Sequence, residues 1–431
     1  MKRMMTTELV EHVGERVRIA GWIHHQRHLA NRSFLLVRDA RGIAQVVIEE
    51  APVRSIATAL LPETVVEIDG TVVASEQAPG GVELHAPAIT VLGEPASAPP
   101  FEMRRPELNA SLPSLLDHAA VSLRHPRIRA AMSIAAASLG GFRSTLDSMG
   151  FTEIQTPKIV GTATETGANV FGLDYFGRAA YLAQSPQLYK QIMVGVFERV
   201  YETGPVFRAE PHDTARHLAE YVSLDAELGF IRDHRDVEAV LRDVLAGMIA
   251  AIEARAADAV ARLGLRLPHV PAEIPRIHFH DAQRLLEAAL GGSIVGEPDL
   301  APAHERRLGE WALAEHGSEF LFVEGYPMEK RPFYTHPEPG RPEFSNSFDL
   351  LFRGLELVTG GQRLHRYDHY DVVVDDAERE ALAGYLEAFR HGMPPHGGFA
   401  IGLERWTARL AGVPNIRQVT LFPRDINRLT P

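Results

Sequence analysis

A 431-residue chain with 45% hydrophobic and 23% charged residues has the composition of a globular protein and is too long for one ordinary core, so two or three domains are expected. No apolar run approaches a bilayer span, the Met-Lys-Arg-Met-Met start lacks the apolar core of a secretory signal, and zero cysteines exclude a disulfide framework and thiolate metal ligation, which together predict a cytoplasmic protein with no membrane partner. A net charge of −12 excludes coating of nucleic acid by bulk charge but leaves room for a structured RNA held by a few basic loops.

Residues 1 to about 95 read as β-rich. Five short candidate strands, 17–23, 33–39, 43–48, 65–73 and 82–85, are separated by turn residues such as Asp39-Ala40-Arg41-Gly42 and Ala78-Pro79-Gly80-Gly81. A helix fits between the third and fourth, at about 53–61. Five strands with one such helix predict an OB-fold β-barrel over residues 1–100, a fold whose face and loops bind single-stranded nucleic acid. The segment after Trp22 reads as a loop rich in donors and stackable rings (His24, His25, Gln26, Arg27, His28, Asn31, Arg32), which suits unpaired bases.

Residues 94–114 are a Pro-rich linker, and the hinge is placed at 101–125. From Pro126 the pattern changes. A helix is expected over 127–149, stopped at Gly150, and Gly150-Phe-Thr-Glu-Ile-Gln-Thr-Pro157 reads as a strand ended by proline. Strands and helices then alternate to the end of a domain spanning 126–431, with a small helical insertion at about 264–310.

The most informative residues are two arginines nearly two hundred positions apart. Phe207-Arg208-Ala209-Glu210 runs into a polar loop containing Arg216 and His217, and Gly402-Leu403-Glu404-Arg405 opens an apolar run. No Gly-x-x-x-x-Gly-Lys-Ser/Thr occurs, so a nucleotide site here must neutralise phosphates with guanidinium groups and Mg²⁺ rather than with a glycine-rich loop. Basic residues are almost all arginine, a bias that genomic base composition explains. A lysine retained in a motif-like position, such as Lys190, is the more notable for it.

Taken together, these segments resemble the class II aminoacyl-tRNA synthetases, and within them the compact, archaeal-type aspartyl-tRNA synthetase family, possibly its non-discriminating form. Gly150–Pro157 is similar to motif 1 of that family, Phe207–Glu210 with the loop to His217 to motif 2, and Gly397-Gly-Phe-Ala-Ile-Gly-Leu-Glu-Arg405 to motif 3. Gln184-Ser-Pro-Gln-Leu-Tyr-Lys-Gln191 and the stretch Ser347 to Arg363 are similar to the aspartate-reading segments. The resemblance covers essentially the whole chain. The interval from Glu210 to Gly397 is too short for the large extra domain of the usual bacterial aspartyl enzyme.

The resemblance implies an α+β architecture, an anticodon-binding OB domain followed by an antiparallel sheet flanked by helices, and a homodimer built through motif 1. It implies an ATP-dependent aspartate–tRNA ligase with Arg208 and Arg405 as catalytic residues. ATP would be bound by Arg208, Glu210, Arg216, His217, Tyr221, Glu356, Gly402 and Arg405. Aspartate would be bound by Glu165, Gln187, Lys190, Asp225, Thr359 and Arg363, with Glu165 on a mobile lid, and Mg²⁺ by Asp349, Glu356 and Thr359. The anticodon would meet Trp22, His25, Arg27, His28 and Pro79.

His and Pro in those loops, where strict archaeal enzymes carry Trp and Lys, predict that tRNA-Asn is charged as well as tRNA-Asp, with a tRNA amidotransferase downstream. Zinc at His365, His369, His391 and His396 is not expected, because their spacing is not that of a tight site. Two other readings stay open at this level: an asparaginyl-tRNA synthetase, and a non-catalytic RNA-binding paralogue.

Overall fold

Alternation of apolar and polar residues from Val17 to Ile23 puts one edge of the first long strand into a core. The computed structural model describes residues 2–94, 96–161 and 169–430 and divides into two units, 1–126 and 127–431. In the first unit, β1 (Arg16–His28), β2 (Ser33–Arg38), β3 (Ile43–Ile48), α1 (Ala51–Ala59), β4 (Val65–Ala74) and β5 (Val82–Val91) follow in order. The sheet runs β1-β2-β3-β5-β4 and closes through a β1–β4 pairing, with a two-residue strand Arg3–Met4 added parallel to β1. All pairings in the barrel are antiparallel except β3 with β5. Val17, Ile19, Ile23, Leu35, Val37, Val46, Ile68 and Leu84 fill its interior. This is the closed five-stranded OB barrel expected.

One local expectation is corrected. His24 to His28 do not form a loop but continue β1, and the connecting turn is confined to about Leu29–Arg32. A register shift between Ile23 and His25 turns the strand over, so that both Ile23 and His24 are buried. His24 then lies against Arg38, which makes a two-pronged ion pair with Glu63 at 2.9 Å. Burial first, and the Arg38 charge second, push the His24 imidazole down to about 4. Its polar character thus serves a buried network, which periodicity alone does not reveal.

The second unit is organised by one eight-stranded sheet. Its strands are β6 (Thr152–Glu153), β7 (Arg199–Phe207), β8 (Glu220–Gly229), β9 (Arg276–His278), β10 (Phe320–Glu324), β11 (Ser347–Phe352), β12 (Glu356–Gln362) and β13 (His396–Gly402). The order is β9-β10-β11-β12-β13-β8-β7-β6. The six central strands are antiparallel, as expected, but both outermost strands pair parallel, so the sheet is mixed. Only Thr152 and Glu153 of the expected strand 150–157 join it, because the proline at 157 and the short register with β7 end the pairing there.

Helices α2 (Pro126–Ser148), α3 (Gln187–Phe197), α4 (His234–Arg255), α5 (Phe279–Leu290), α6 (Pro302–His316) and α7 (Leu403–Ala411) flank this sheet. α5 and α6 include much of the expected insertion.

Strand parity decides what faces where. Leu224, Ala226 and Leu228 of β8, Phe348, Leu350 and Phe352 of β11, Val358 of β12, and Phe399 and Ile401 of β13 point into one core with residues of α2, α4 and α7. Trp406 is fully buried there and donates its indole N–H to Ser138 Oγ at 2.9 Å. The alternate residues of the same strands, Ser223, Asp225 and Glu227 in β8 and Ala400 and Gly402 in β13, point to the opposite face.

Gly398 marks how tightly the centre of the sheet is built. A Cβ there would lie 2.1 Å from both the Ala226 carbonyl oxygen and Glu227 Oε2. Gly398→Ala is therefore expected to cost about 3 kcal/mol or more, seen as a lowered urea midpoint for the second unit. An unchanged midpoint would show that β8 and β13 separate more easily than this spacing implies.

Candidate functional site

The polar face of β8, β12 and β13 floors a cavity of about 480 Å³, closed by the start of α3, the 208–221 segment and residues 330–335. Arg208, Glu210, Arg216, His217, Tyr221, Gln187, Lys190, Asp225, Glu356, Thr359, Arg363, Gly402 and Arg405 all line it. Residues separated by more than two hundred positions, from Gln187 to Arg405, are thus brought into one place. Glu165 lies outside the described residues.

One end of the cavity is a buried ionic network. Lys190 Nζ sits 3.0 Å from Asp225 Oδ1 and 3.3 Å from Glu227 Oε2. Arg363 donates through Nε to Glu227 Oε1 at 2.9 Å and through Nη2 to the Gly398 carbonyl at 3.0 Å. Asp225 also accepts a hydrogen bond from Ser223 Oγ. Lys190 and Arg363 are 1% and 7% exposed, so two cations and two carboxylates balance one another almost out of water. Burial alone would raise the Glu227 carboxyl, but the Arg363 and Lys190 charges outweigh it and hold the group below the usual glutamate value.

Glu227 is the residue that motif reading misses. The signal was present, since it stands two positions from Asp225 on a strand and so shares its face.

Behind this network the polar chain continues. Gln187 Nε2 donates to Gln191 Oε1 at 3.0 Å, and Gln191 Nε2 donates to His396 Nε2 at 2.9 Å. His396 Nδ1–H in turn donates to the Pro394 carbonyl at 2.9 Å, which fixes the neutral tautomer. Burial pushes this imidazole down to about 4.

The other end is more open. Arg208 and Arg405 are each about one-third exposed, Arg208 lies 3.8 Å from Glu210, and its guanidinium carbon is 5.8 Å from the centre of the Tyr221 ring. Arg405 Nη1 donates to the Glu356 carbonyl at 3.3 Å and is 3.7 Å from its carboxylate. Gly402 lies between Arg405 and the Tyr221 ring, with room for a Cβ only at van der Waals contact with both. His217 Nδ1 is 2.6 Å from Thr214 Oγ1, and burial lowers its pKa. Glu404 accepts from the Val222 N–H at 3.1 Å, and burial raises its carboxyl to about 7. Lys330 and Arg331 line the same cavity and were not anticipated.

The expected metal ligands come together, with one difference. Asp349 and Thr359 are cross-strand partners in the β11–β12 hairpin, and Thr359 Oγ1 donates to Glu356 Oε1 at 3.4 Å. Asp349, however, is buried below the cavity surface and accepts from Arg331 Nη2 at 3.0 Å. Burial, opposed by Arg331 and reinforced by the Glu356 charge, brings its carboxyl up to about 6. Arg331 is distant from every recognisable motif, so the sequence carried no sign of this pairing.

In the OB unit the candidate base-contacting residues divide. Arg27 and His28 are exposed at the end of β1, where His28 Nδ1 lies 2.9 Å from Ser33 Oγ, and Trp22 and His25 are half-buried along the same strand. Pro79 is exposed in a turn that the β3–β5 register carries to the Ile43 end of β3, while His28 and Ser33 lie toward Ile48. The structure does not bring Pro79 and His28 together.

Comparison with known proteins gives three further findings. The profile of tRNA synthetases class II (D, K and N) matches residues 112–426, and that of the OB-fold nucleic acid binding domain matches residues 17–92. The aspartate–tRNA(Asp/Asn) ligase of Thermus thermophilus is 47% identical over the full length of both chains, and the aspartate–tRNA(Asp) ligase of Thermococcus kodakarensis is 37% identical over 99% of each. Among solved structures, asparaginyl-tRNA synthetase from Pyrococcus horikoshii, complexed with asparaginyl-adenylate, superimposes with a TM-score of 0.91 at 31% identity and full coverage of both chains.

Two outcomes follow from the buried network. Glu227→Gln strands Lys190 and Arg363 against a single acid and should cost about 3–5 kcal/mol, read from urea midpoints. His396 has a folded pKa of about 4 against an ordinary 6.5, so between those values the unfolded chain binds a proton that the folded one refuses. Stability should then fall by up to about 3 kcal/mol as pH drops through that window. His396→Gln, which cannot take up this proton, should flatten that part of the profile.

Proposed function

The chain belongs to the class II tRNA synthetases of the D, K and N group, and we propose that it activates L-aspartate with ATP to aspartyl-adenylate and transfers the aspartyl group to tRNA-Asp and also to tRNA-Asn. The observation that carries the amino-acid assignment is the buried Lys190–Asp225–Glu227–Arg363 network opening into the cavity. A side-chain carboxylate completes the donor set of Arg363 and Lys190, whereas a neutral amide would meet them with its own N–H groups. Asp225 and Gln187 stand where an α-ammonium group can be received, and Glu165 is proposed as a further contact for it.

The chemistry is an in-line attack of the substrate α-carboxylate on the ATP α-phosphorus, with pyrophosphate as the leaving group. The nucleophile is already ionised, so the protein supplies position and charge rather than a base. Arg208 is assigned to the α-phosphate and the attacking carboxylate, Arg405 to the γ-phosphate, and Arg216 with His217 to the β- and γ-phosphates. Tyr221 and the aliphatic stem of Arg405 flank the adenine, and Glu210 accepts from its amino group. The donor set of two carboxylates and a hydroxyl fits a hard cation, with Glu356, Thr359 and the Asp349 oxygen not bonded to Arg331 as its ligands. Mg²⁺ held there would supply positive charge to the triphosphate. A homodimer built through residues 150–157 is part of the same reading.

Relaxed tRNA choice is supported by the Thermus relative, named for both tRNA(Asp) and tRNA(Asn), and by His28 at the end of β1 and Pro79 in its turn, but the Thermococcus relative, named for tRNA-Asp alone, shows that the fold serves both habits. Aspartate placed on tRNA-Asn requires a later amidation by a tRNA amidotransferase. The likeness to the Pyrococcus asparaginyl enzyme makes asparagine the second reading.

The purified protein should show ATP–pyrophosphate exchange with aspartate and none with asparagine, and Arg363→Leu should lower kcat/KM for aspartate by about a thousandfold, some 4 kcal/mol. Exchange driven by asparagine would overturn the amino-acid assignment. Side-by-side charging of tRNA-Asp and tRNA-Asn transcripts tests the rest. Comparable aspartylation of both is expected, and negligible charging of tRNA-Asn would limit the enzyme to tRNA-Asp.

A further inference from the structure

A second cluster lies on the far side of β11 from the cavity arginines, at the start of α4. His234 and Glu238 are one turn apart on that helix, and Glu324 ends β10. All three are more than nine-tenths buried. His234 Nε2 is 3.6 Å from Glu324 Oε1 and 3.9 Å from Glu238 Oε1, and the three atoms lie within 4.8 Å of one another. These separations exceed a hydrogen bond, and none of the three atoms has a hydrogen-bond partner. Three buried polar atoms that converge on one point without hydrogen-bonding one another are costly unless something sits between them, and only Glu324 Oε1 has a further cation, Arg276, at 3.3 Å.

The outward atom of each residue is held by another group. His234 Nδ1 is 2.5 Å from Asn346 Oδ1, and the Asn346 amide N–H₂ donates to Gln362 Oε1, which leaves its oxygen facing the imidazole. A proton therefore belongs on Nδ1, so that in the neutral imidazole the lone pair is on Nε2 and points inward. Glu238 Oε2 accepts from Arg276 Nε at 2.6 Å and Glu324 Oε2 from Arg235 Nη2 at 3.4 Å. One ligand atom free and the other oriented from outside is the arrangement that metal-binding histidines and carboxylates share. Among the described residues this is the one group of three His, Cys, Asp or Glu side chains with converging ligand atoms.

We propose that His234, Glu238 and Glu324 form a site for one divalent cation of the zinc class, completed by water. Ligand atoms about 2.0–2.2 Å from a tetrahedral ion sit roughly 3.3–3.6 Å apart, so the imidazole needs to approach the two carboxylates by only a few tenths of an ångström, and the carboxylates, within 4.8 Å of each other, close around the ion. One imidazole and two carboxylates suit zinc, cobalt or manganese better than Mg²⁺. Arg235 and Arg276, the latter also 3.3 Å from Glu324 Oε1, offset the two carboxylates and weaken the site without filling it.

The bound ion clamps the first turn of α4 to the end of β10. Through Asn346 and Gln362 it also steadies the residue adjoining Arg363. The competing occupant is a proton shared by His234 and the glutamates.

The test is Co²⁺ titration of the full-length, chelator-stripped protein in excess Mg²⁺, followed by visible absorption and by metal analysis after gel filtration. One Co²⁺ per chain with tetrahedral or five-coordinate absorption, displaced by Zn²⁺, is expected. Glu238→Gln and His234→Gln should each weaken it about a hundredfold. Circular dichroism and aspartate-dependent exchange report whether the variants fold. Less than one cobalt per ten chains in the unmodified protein, binding unaffected by either substitution, or a His234 Nε2 that nitrogen-15 spectra show protonated and unmoved by Zn²⁺ would each overturn the proposal.

Discussion

The second unit depends on one constraint, the mutual compensation of four charges at the centre of its sheet. Lys190 from α3, Asp225 and Glu227 from β8, and Arg363 just past β12 meet almost out of water, at the closed end of the cavity. Each alone would be costly to bury, and an isolated cation there would lose its proton or unfold the site. Their partnership fixes the helix start, the middle strand and the end of the hairpin in one geometry. Gly398 is required beside them because β13 passes Glu227 too closely for any side chain.

That geometry is possible only because β8 is read in two directions. Its even positions, Leu224 to Leu228, supply the core beneath, and its odd positions supply Ser223 and Asp225 to the polar floor and Glu227 to the ion pairs behind it. A sheet buried on both faces usually reads as a continuous apolar run. This strand instead alternates, and the acids on its second face stay buried only because two cations come to meet them from elsewhere in the chain.

What was legible in the sequence divides along the same line. Local order carried far: the OB strands and the helix between the third and fourth follow from short patterns, and Arg208, Arg405 and Lys190, singled out within short segments, all line the cavity. Contacts made by distant residues of unremarkable context did not. Arg331 bonded to Asp349, Glu227 bridging Lys190 and Arg363, and His24 folded inward against Arg38 are set by tertiary packing. The bulge after Ile23 shows why: one inserted residue reverses the faces of a strand, and His24 reads as a surface loop residue until the register is known.

On the proposed function, the same charges would also sort two anionic substrates in one cavity. On the proposed reading, aspartate and a triphosphate must each find their own end. The arginines at the open end, Arg208 and Arg405, are a third exposed and loosely paired with Glu210 and Glu356 at 3.7–3.8 Å. They retain an attractive field for a polyanion, which water screens but does not cancel. At the closed end, Lys190 and Arg363 are matched one for one by acids, so the net field is small and attraction is short in range. A triphosphate entering there would face Asp225 and Glu227 with no surplus cation, and the contact would be repulsive. A small zwitterion, presenting its carboxylate to the guanidinium and its ammonium to Asp225, gains from both signs at once. On that reading the buried acids that hold the fold together would at the same time keep the wrong anion out.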